Sequence, residues 1–177
     1  MEALERDFDL TEIINGEEIT RPSPFANHQA VSGNLSYIIR RHVKNNNLGK
    51  VYISPLDVIL EEGINRLQPD ILFIKKENSD IEQDWIRGVP DMVCEIISQG
   101  TYKMDMVLKR AVYEKYKVPE FWIVLPELQA IEVLTIIEVL TIEGDRYKTY
   151  SIAEIEGMVQ SKVIEGLQVN IKDAFED

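Results

Sequence analysis

A single cysteine, Cys94, stands in 177 residues, so no internal disulfide is possible; inside the apolar run Met92-Val93-Cys94 it reads as a buried free thiol. That suits a reducing compartment. No apolar run approaches membrane-spanning length, and Met1-Glu2-Ala3-Leu4-Glu5-Arg6 lacks the basic start and apolar core of a signal peptide, so the expected location is cytoplasmic, away from membranes. Pro/Gly-rich and low-complexity stretches are also missing, and a chain of this length is expected to form one domain over residues 1–177. Positive charge is scarce: the net charge of −12 excludes a protein that coats nucleic acid by bulk electrostatics. Local basic groups remain, Arg40, Arg41 and Lys44 in one and Lys103, Lys109, Arg110, Lys115 and Lys117 in another.

Asn15-Gly16, between two short apolar runs, predicts an opening hairpin. Ser23-Pro24 offers a cap and a first-turn proline. With Val31, Leu35, Ile38, Ile39 and Val43 at helical spacing it predicts a helix from about Pro24 to Asn45. Residues 50–60 read as one strand with a bulge or edge at Ser54-Pro55. Ile71-Leu72-Phe73-Ile74 and the run from Asp91 to Ile97 are apolar on both faces, as covered strands are. A helix over about 101–117, ended by Pro119, leads to the strand Phe121-Trp122-Ile123-Val124-Leu125 through a crossover. Residues 131–136 are repeated letter for letter as 137–142. Six is even, so a copy preserves strand alternation and lengthens the hairpin closed by Gly144-Asp145-Arg146. A last strand is expected around 163–171. The order predicts an α/β (α+β-like) fold with helices packed on a mixed sheet.

Three successive strands each carry one acid among apolar residues: Asp57, Asp70 and Glu95. An antiparallel meander brings these to one edge, and strands roughly 4.8 Å apart let Asp70 and Glu95 share a metal ion. Asp91 lies four residues from Glu95, about 13 Å along the strand, and belongs to the strand entrance. Clustered, desolvated carboxylates call for a cation or a proton, and all-oxygen donors favour Mg²⁺ or Mn²⁺. Zinc ligation and nucleophile triads have no counterpart here. The following helix sets Asp105, Lys109 and Tyr113 on one face. A lysine aimed at the acids can orient an attacking water and offset charge on a phosphate in the transition state. His28 falls on the sheet-facing stripe of the first helix, as a proton carrier or as a group that positions a metal ligand without touching the ion. Trp85 and Trp122 read as packing residues.

These residues resemble a known group. Pro69-Asp70, Gly88-Val89-Pro90-Asp91 through Glu95-Ile96-Ile97-Ser98, Asp105 with Lys109 and Tyr113, and Val118-Pro119-Glu120-Phe121-Trp122 together look like the Uma family of restriction endonucleases, in the PD-(D/E)XK nuclease superfamily. The similarity runs from about Gly16 onward and includes Ser23-Pro24 before His28, Ser54-Pro55-Leu56-Asp57 and Gly166-Leu167. It implies a restriction-endonuclease-like sheet with extra C-terminal strands, and Mg²⁺ held by Asp70, Glu95 and the Ile96 carbonyl. It also implies Lys109 as the catalytic lysine, a DNA substrate and a homodimer. The superfamily's lysine two residues after the acid is here Ile97, so Lys109 on the helix is its migrated equivalent. Leu125 and Ser98-Gln99 are further departures that touch no proposed ligand. The alternative reading is a catalytically inactive nuclease fold kept as a binding or assembly module.

Overall fold

The computed structural model describes residues 10–98, 102, 104–126 and 135–175, without the side chains of Met104 and Asp105. The chain opens with the hairpin of β1 (Thr11–Ile14) and β2 (Glu17–Thr20). Its two-residue turn has φ 53° at Asn15 and 83° at Gly16, the positive values that match the twist of paired strands. The first helix, α1 (Ala26–Asn45), starts two residues later than the Ser23-Pro24 signal predicts. Phe25 is its N-cap and no side chain caps it. Its stripe of Val31, Leu35, Ile39 and Val43 is buried, as the spacing requires.

The expected single strand over 50–60 is two strands in different sheets. β3 (Gly49–Ile53) ends at the cis Ser54-Pro55 bond, and β4 (Val58–Glu61) restarts beyond it. Proline has no N–H for a ladder, so the chain leaves one sheet there and enters another. β5 (Asn65–Leu67), β6 (Ile71–Lys75), β7 (Ile86–Arg87) and β8 (Met92–Ile96) follow. The expected continuous helix over 101–117 is in fact a π-helical segment, Met104–Lys109, running into α2 (Arg110–Lys115). Then come β9 (Glu120–Leu125), β10 (Ile136–Glu143) and β11 (Arg146–Glu154). The last expected strand is present in shorter form as β13 (Gln168–Asn170), preceded by its partner β12 (Met158–Gln160) and followed by the short helix α3 (Ile171–Phe175).

The main sheet has six strands in the order β11-β10-β9-β8-β6-β3. β8 and β9 are parallel, as a crossover through α2 demands; the other neighbours are antiparallel. The expected meander is β3-β6-β8, but Asp57 is not on it: the chain leaves that sheet after Ile53, and Asp57 lies in the connection before β4. A second sheet, β2-β1-β5-β4-β7, gathers the opening hairpin.

Strand alternation divides the core in two. Ile71, Phe73, Met92, Cys94, Trp122 and Val124 pack with the stripe of α1. Their neighbours Leu72, Ile74, Val93, Phe121 and Ile123 pack with Val112 and Tyr113 of α2 and with Ile14, Val58 and Leu67 of the second sheet. Both faces are covered, so the strands are apolar throughout. Trp122 is fully buried, whereas Trp85 is half-buried and stacks under Arg87.

Of the duplicated segment, residues 131–134 lie outside the described residues; the second copy forms β10. Between Val139↔Ser151 and Leu140↔Thr149 the pairing with β11 accommodates one extra residue, the exposed Tyr150. Among the described residues no helix is long and apolar enough to cross a membrane.

Candidate active site

Glu95 is one residue from the end of β8, on the face it shares with Val93, and Asp70 immediately precedes β6 on the antiparallel neighbour. The register Ile71↔Cys94 sets the two acids side by side at one sheet edge, as the meander predicts. The Ile96 amide donates to Asp70 Oδ2 at 2.7 Å, which ties one acid to the strand of the other.

Lys109 closes the group from the helical side. Its Nζ, fully buried, donates to Glu95 Oε1 at 3.0 Å and Oε2 at 3.1 Å. One turn on, the Tyr113 hydroxyl donates to Glu95 Oε1 at 2.6 Å. The four-residue spacing thus delivers both side chains to one carboxylate. The Asp105 side chain, expected on the same face, lies outside the described residues.

His28, in the first turns of α1, donates from Nε2 to Asp70 Oδ2 at 3.2 Å. A carboxylate only accepts, so Nε2 carries the hydrogen; Nδ1 is buried and has no hydrogen-bond partner. Burial would raise the Asp70 carboxyl. The His28 hydrogen bond, with the charges of His28, Arg21 and Lys109, outweighs it and holds the group below its ordinary value.

Two members of the site carry no expectation from the sequence. Glu12 of β1 is fully buried. Its Oε1 accepts from Lys109 Nζ at 2.9 Å and from the Gln68 amide at 2.6 Å, while its Oε2 has no hydrogen-bond partner. Arg21, just past β2, donates from NH1 to the Gln68 carbonyl at 3.1 Å and faces Glu12, Asp70 and Glu95 at 3.7, 3.9 and 3.9 Å. A legible signal existed for Glu12: it shares a strand face with the buried Ile14, an acid in an apolar register like Glu95. Arg21 has no such pattern.

Asp57 is one link away from these acids. Its Oδ1 accepts from the Gln68 side-chain amide at 2.8 Å and its Oδ2 faces Arg66 at 3.8 Å. Asp91, at the β8 entrance as expected, accepts from the Lys75 amide and from Asn78 and organises the connection before the strand.

A cavity of about 460 Å³ opens beside Asp70, walled by Arg21, Phe25, His28, Pro55, Gln68 and Ser98. Phe25 stands 73% exposed at its rim. The basic residues of α1 lie elsewhere: Arg40 binds the Val51 carbonyl and Arg41 stacks on Tyr37.

The donor set is hard and anionic, which suits a divalent ion and no soft metal. The hydrogen bonds to the Asp70 carboxylate fall on Oδ2, while Oδ1 faces Arg21 at 3.9 Å, and Asp70 lines the cavity. Among the described residues no three Asp, Glu, His or Cys side chains form a ready metal cage. An ion here would rest on two carboxylates and main-chain oxygen.

A mixed sheet with helices on its faces, and acids at the edge of an antiparallel pair, is the restriction-endonuclease-like class of fold. The crystal structure of a "putative nuclease belonging to DUF820" from Anabaena variabilis ATCC 29413 shares it: TM-score 0.73 at 20% identity, over 93% of this chain and 89% of that one. The family model Uma2, described as "Putative restriction endonuclease", matches residues 2–172, and the chain belongs to that family. No curated protein matches it.

Proposed function

We propose that this chain is a Mg²⁺-dependent endonuclease that hydrolyses DNA phosphodiester bonds. The observation that carries the reading is a buried lysine bonded to two carboxylates, beside a third at the wall of an open cavity. Membership of a family described by restriction endonucleases supports the substrate class.

Asp70, Glu95 and the Ile96 carbonyl would hold the ion, and Asp57 acts on them through Gln68. The ion would supply a Lewis acid for the phosphate and lower the pKa of a bound water. Tyr113 fixes the rotation of the Glu95 carboxylate by holding one oxygen. Lys109 holds its positive charge beside Glu95, where it offsets charge that builds on a phosphate. Asp70 fixes the His28 tautomer, leaving Nδ1 able to accept a proton. Edge strand β11, with Tyr150 and Ile152 exposed, supports a homodimer, and the buried Cys94 thiol a cytoplasmic location.

Calorimetric titration of Mn²⁺ into the wild type and Asp70→Ala, alone and with DNA, tests the reading, with circular dichroism to check the fold. Saturable binding lost in the variant, with cleavage lost alongside, is expected. A folded variant that binds as the wild type does removes the assignment. The full burial of Lys109 favours a second reading, a nuclease fold retained for binding alone. It predicts metal binding without cleavage of any DNA topology.

A further inference from the structure

The basic side chains of the site are held in different ways. Lys109 lies at hydrogen-bond distance from Glu12 and Glu95, and His28 from Asp70. Arg21 instead turns three different nitrogens to three different acids: Nε to Glu12 Oε2 at 3.7 Å, NH1 to Asp70 Oδ1 at 3.9 Å and NH2 to Glu95 Oε2 at 3.9 Å. Each separation exceeds hydrogen-bond length and remains within ion-pair range.

Two of the three oxygens it faces are open ones; the third, Glu95 Oε2, also accepts from Lys109. Glu12 Oε2 has no hydrogen-bond partner, and both hydrogen bonds to Asp70 fall on the other oxygen, Oδ2. The guanidinium therefore sits over the two carboxylate oxygens least committed elsewhere, on the side where the cavity opens, with its side chain only 11% exposed.

A guanidinium has no lone pair to give a metal and keeps its charge at any accessible pH, so it cannot remain among oxygens that bind a divalent ion. Repulsion at that separation, in a buried setting, makes joint occupancy unfavourable. We propose that Arg21 is the resident counter-ion of this acid group and that a divalent cation exchanges with it. The displaced fork swings into the cavity, where a phosphodiester would present the paired oxygens it fits. This rests on the metal-dependent reading above and adds to it an internal competitor that lowers the site's affinity for metal.

The experiment is calorimetric titration of Mn²⁺ into the wild type, Arg21→Ala, Arg21→Gln and Arg66→Gln, with thermal melting of each in EDTA and in Mn²⁺. Arg21→Gln keeps a polar side chain while removing the charge, and carries the test where Arg21→Ala fails to fold. Arg66 is a nearby cation that faces Asp57 at 3.8 Å. The expected result is Mn²⁺ binding about tenfold tighter or more in both Arg21 variants, from the loss of a competing charge at close range. Their melting temperature in EDTA falls and their gain on adding Mn²⁺ exceeds that of the wild type. Asp70→Asn in the Arg21→Gln background abolishes the tighter binding. A wild type that binds Mn²⁺ beside Arg21 variants of equal or weaker affinity overturns the exchange and leaves the metal reading intact. An equal gain in Arg66→Gln also overturns it, because the effect is then diffuse charge. Binding by none of the proteins, with or without DNA, removes the metal reading and the exchange together; binding by the Arg21 variants alone supports the exchange in its strongest form.

Discussion

Two groups of buried acid in this molecule solve the same physical problem in opposite ways. Glu120, at the start of β9, is fully buried, and both of its oxygens are occupied by neutral donors. Trp122 Nε1 and Ser161 Oγ reach Oε1 at 2.7 and 2.6 Å, and the Lys162 and Val163 amides reach Oε2 at 2.7 and 3.0 Å. No cation faces it among the described residues. Glu12, Asp70 and Glu95 are instead balanced by Lys109 and Arg21, with the His28 imidazole donating to Asp70, and oxygens on Glu12 and Asp70 stay without hydrogen bonds. Main-chain amides cannot leave, so Glu120 is closed and pins the C-terminal segment to the sheet. Side-chain cations can move, so the second group remains open to chemistry.

The contrast breaks hardest at Lys109. Lys109→Met leaves Glu12 and Glu95 without their shared cation, which is expected to lower DNA cleavage by about a thousandfold or more and stability by about 3–5 kcal/mol. Cleavage assays and urea unfolding check both. Glu120→Leu strips four donors of their acceptor and is expected to cost about 3 kcal/mol while leaving Mn²⁺ affinity unchanged. Loss of metal binding in that variant, with the fold kept, would erase the distinction between the two groups.

A pH titration sharpens it further. The folded state holds the Asp70 carboxyl below its ordinary value of 3.8, so the unfolded chain takes up the proton first. Stability from this group is complete above about pH 4 and is lost as pH falls through the folded-state value. Asp70→Asn should therefore flatten acid unfolding below pH 4, measured by circular dichroism.

The smallest effect is expected at Cys94. Burial, with Asp70 and Glu95 nearby, pushes its thiol well above the ordinary range, so alkylation of the native protein at pH 8 is slow and accelerates only on unfolding. Rapid labelling of the native state would show the α1 side of the core to be open to solvent.

Much of this arrangement was legible along the chain. The Asn15-Gly16 turn, the stripe of α1 and the β3-β6-β8 meander follow from local rules, and the pairing of Asp70 with Glu95 follows from strand register. Lys109 and Tyr113 were legible as one face of a helix, although the π-helical segment before them was not. At Ser54-Pro55 the sequence indicates only a bulge or an edge, because composition does not say which sheet a strand joins. Arg21 stayed hidden because an arginine beside a turn looks like any solvated residue.

Turn residues, apolar periodicity and the isolated acids in covered strands are properties of near neighbours, so the amino-acid order alone determined the hairpin, the main helix, the layered α/β class and two of the three site acids. The tertiary structure decided that the opening hairpin packs against the α2-side face of the main sheet and delivers Glu12 and Arg21 to Asp70, Glu95 and Lys109. That choice depends on which apolar faces cover one another and on how buried charges balance, and both are settled only when distant segments pack.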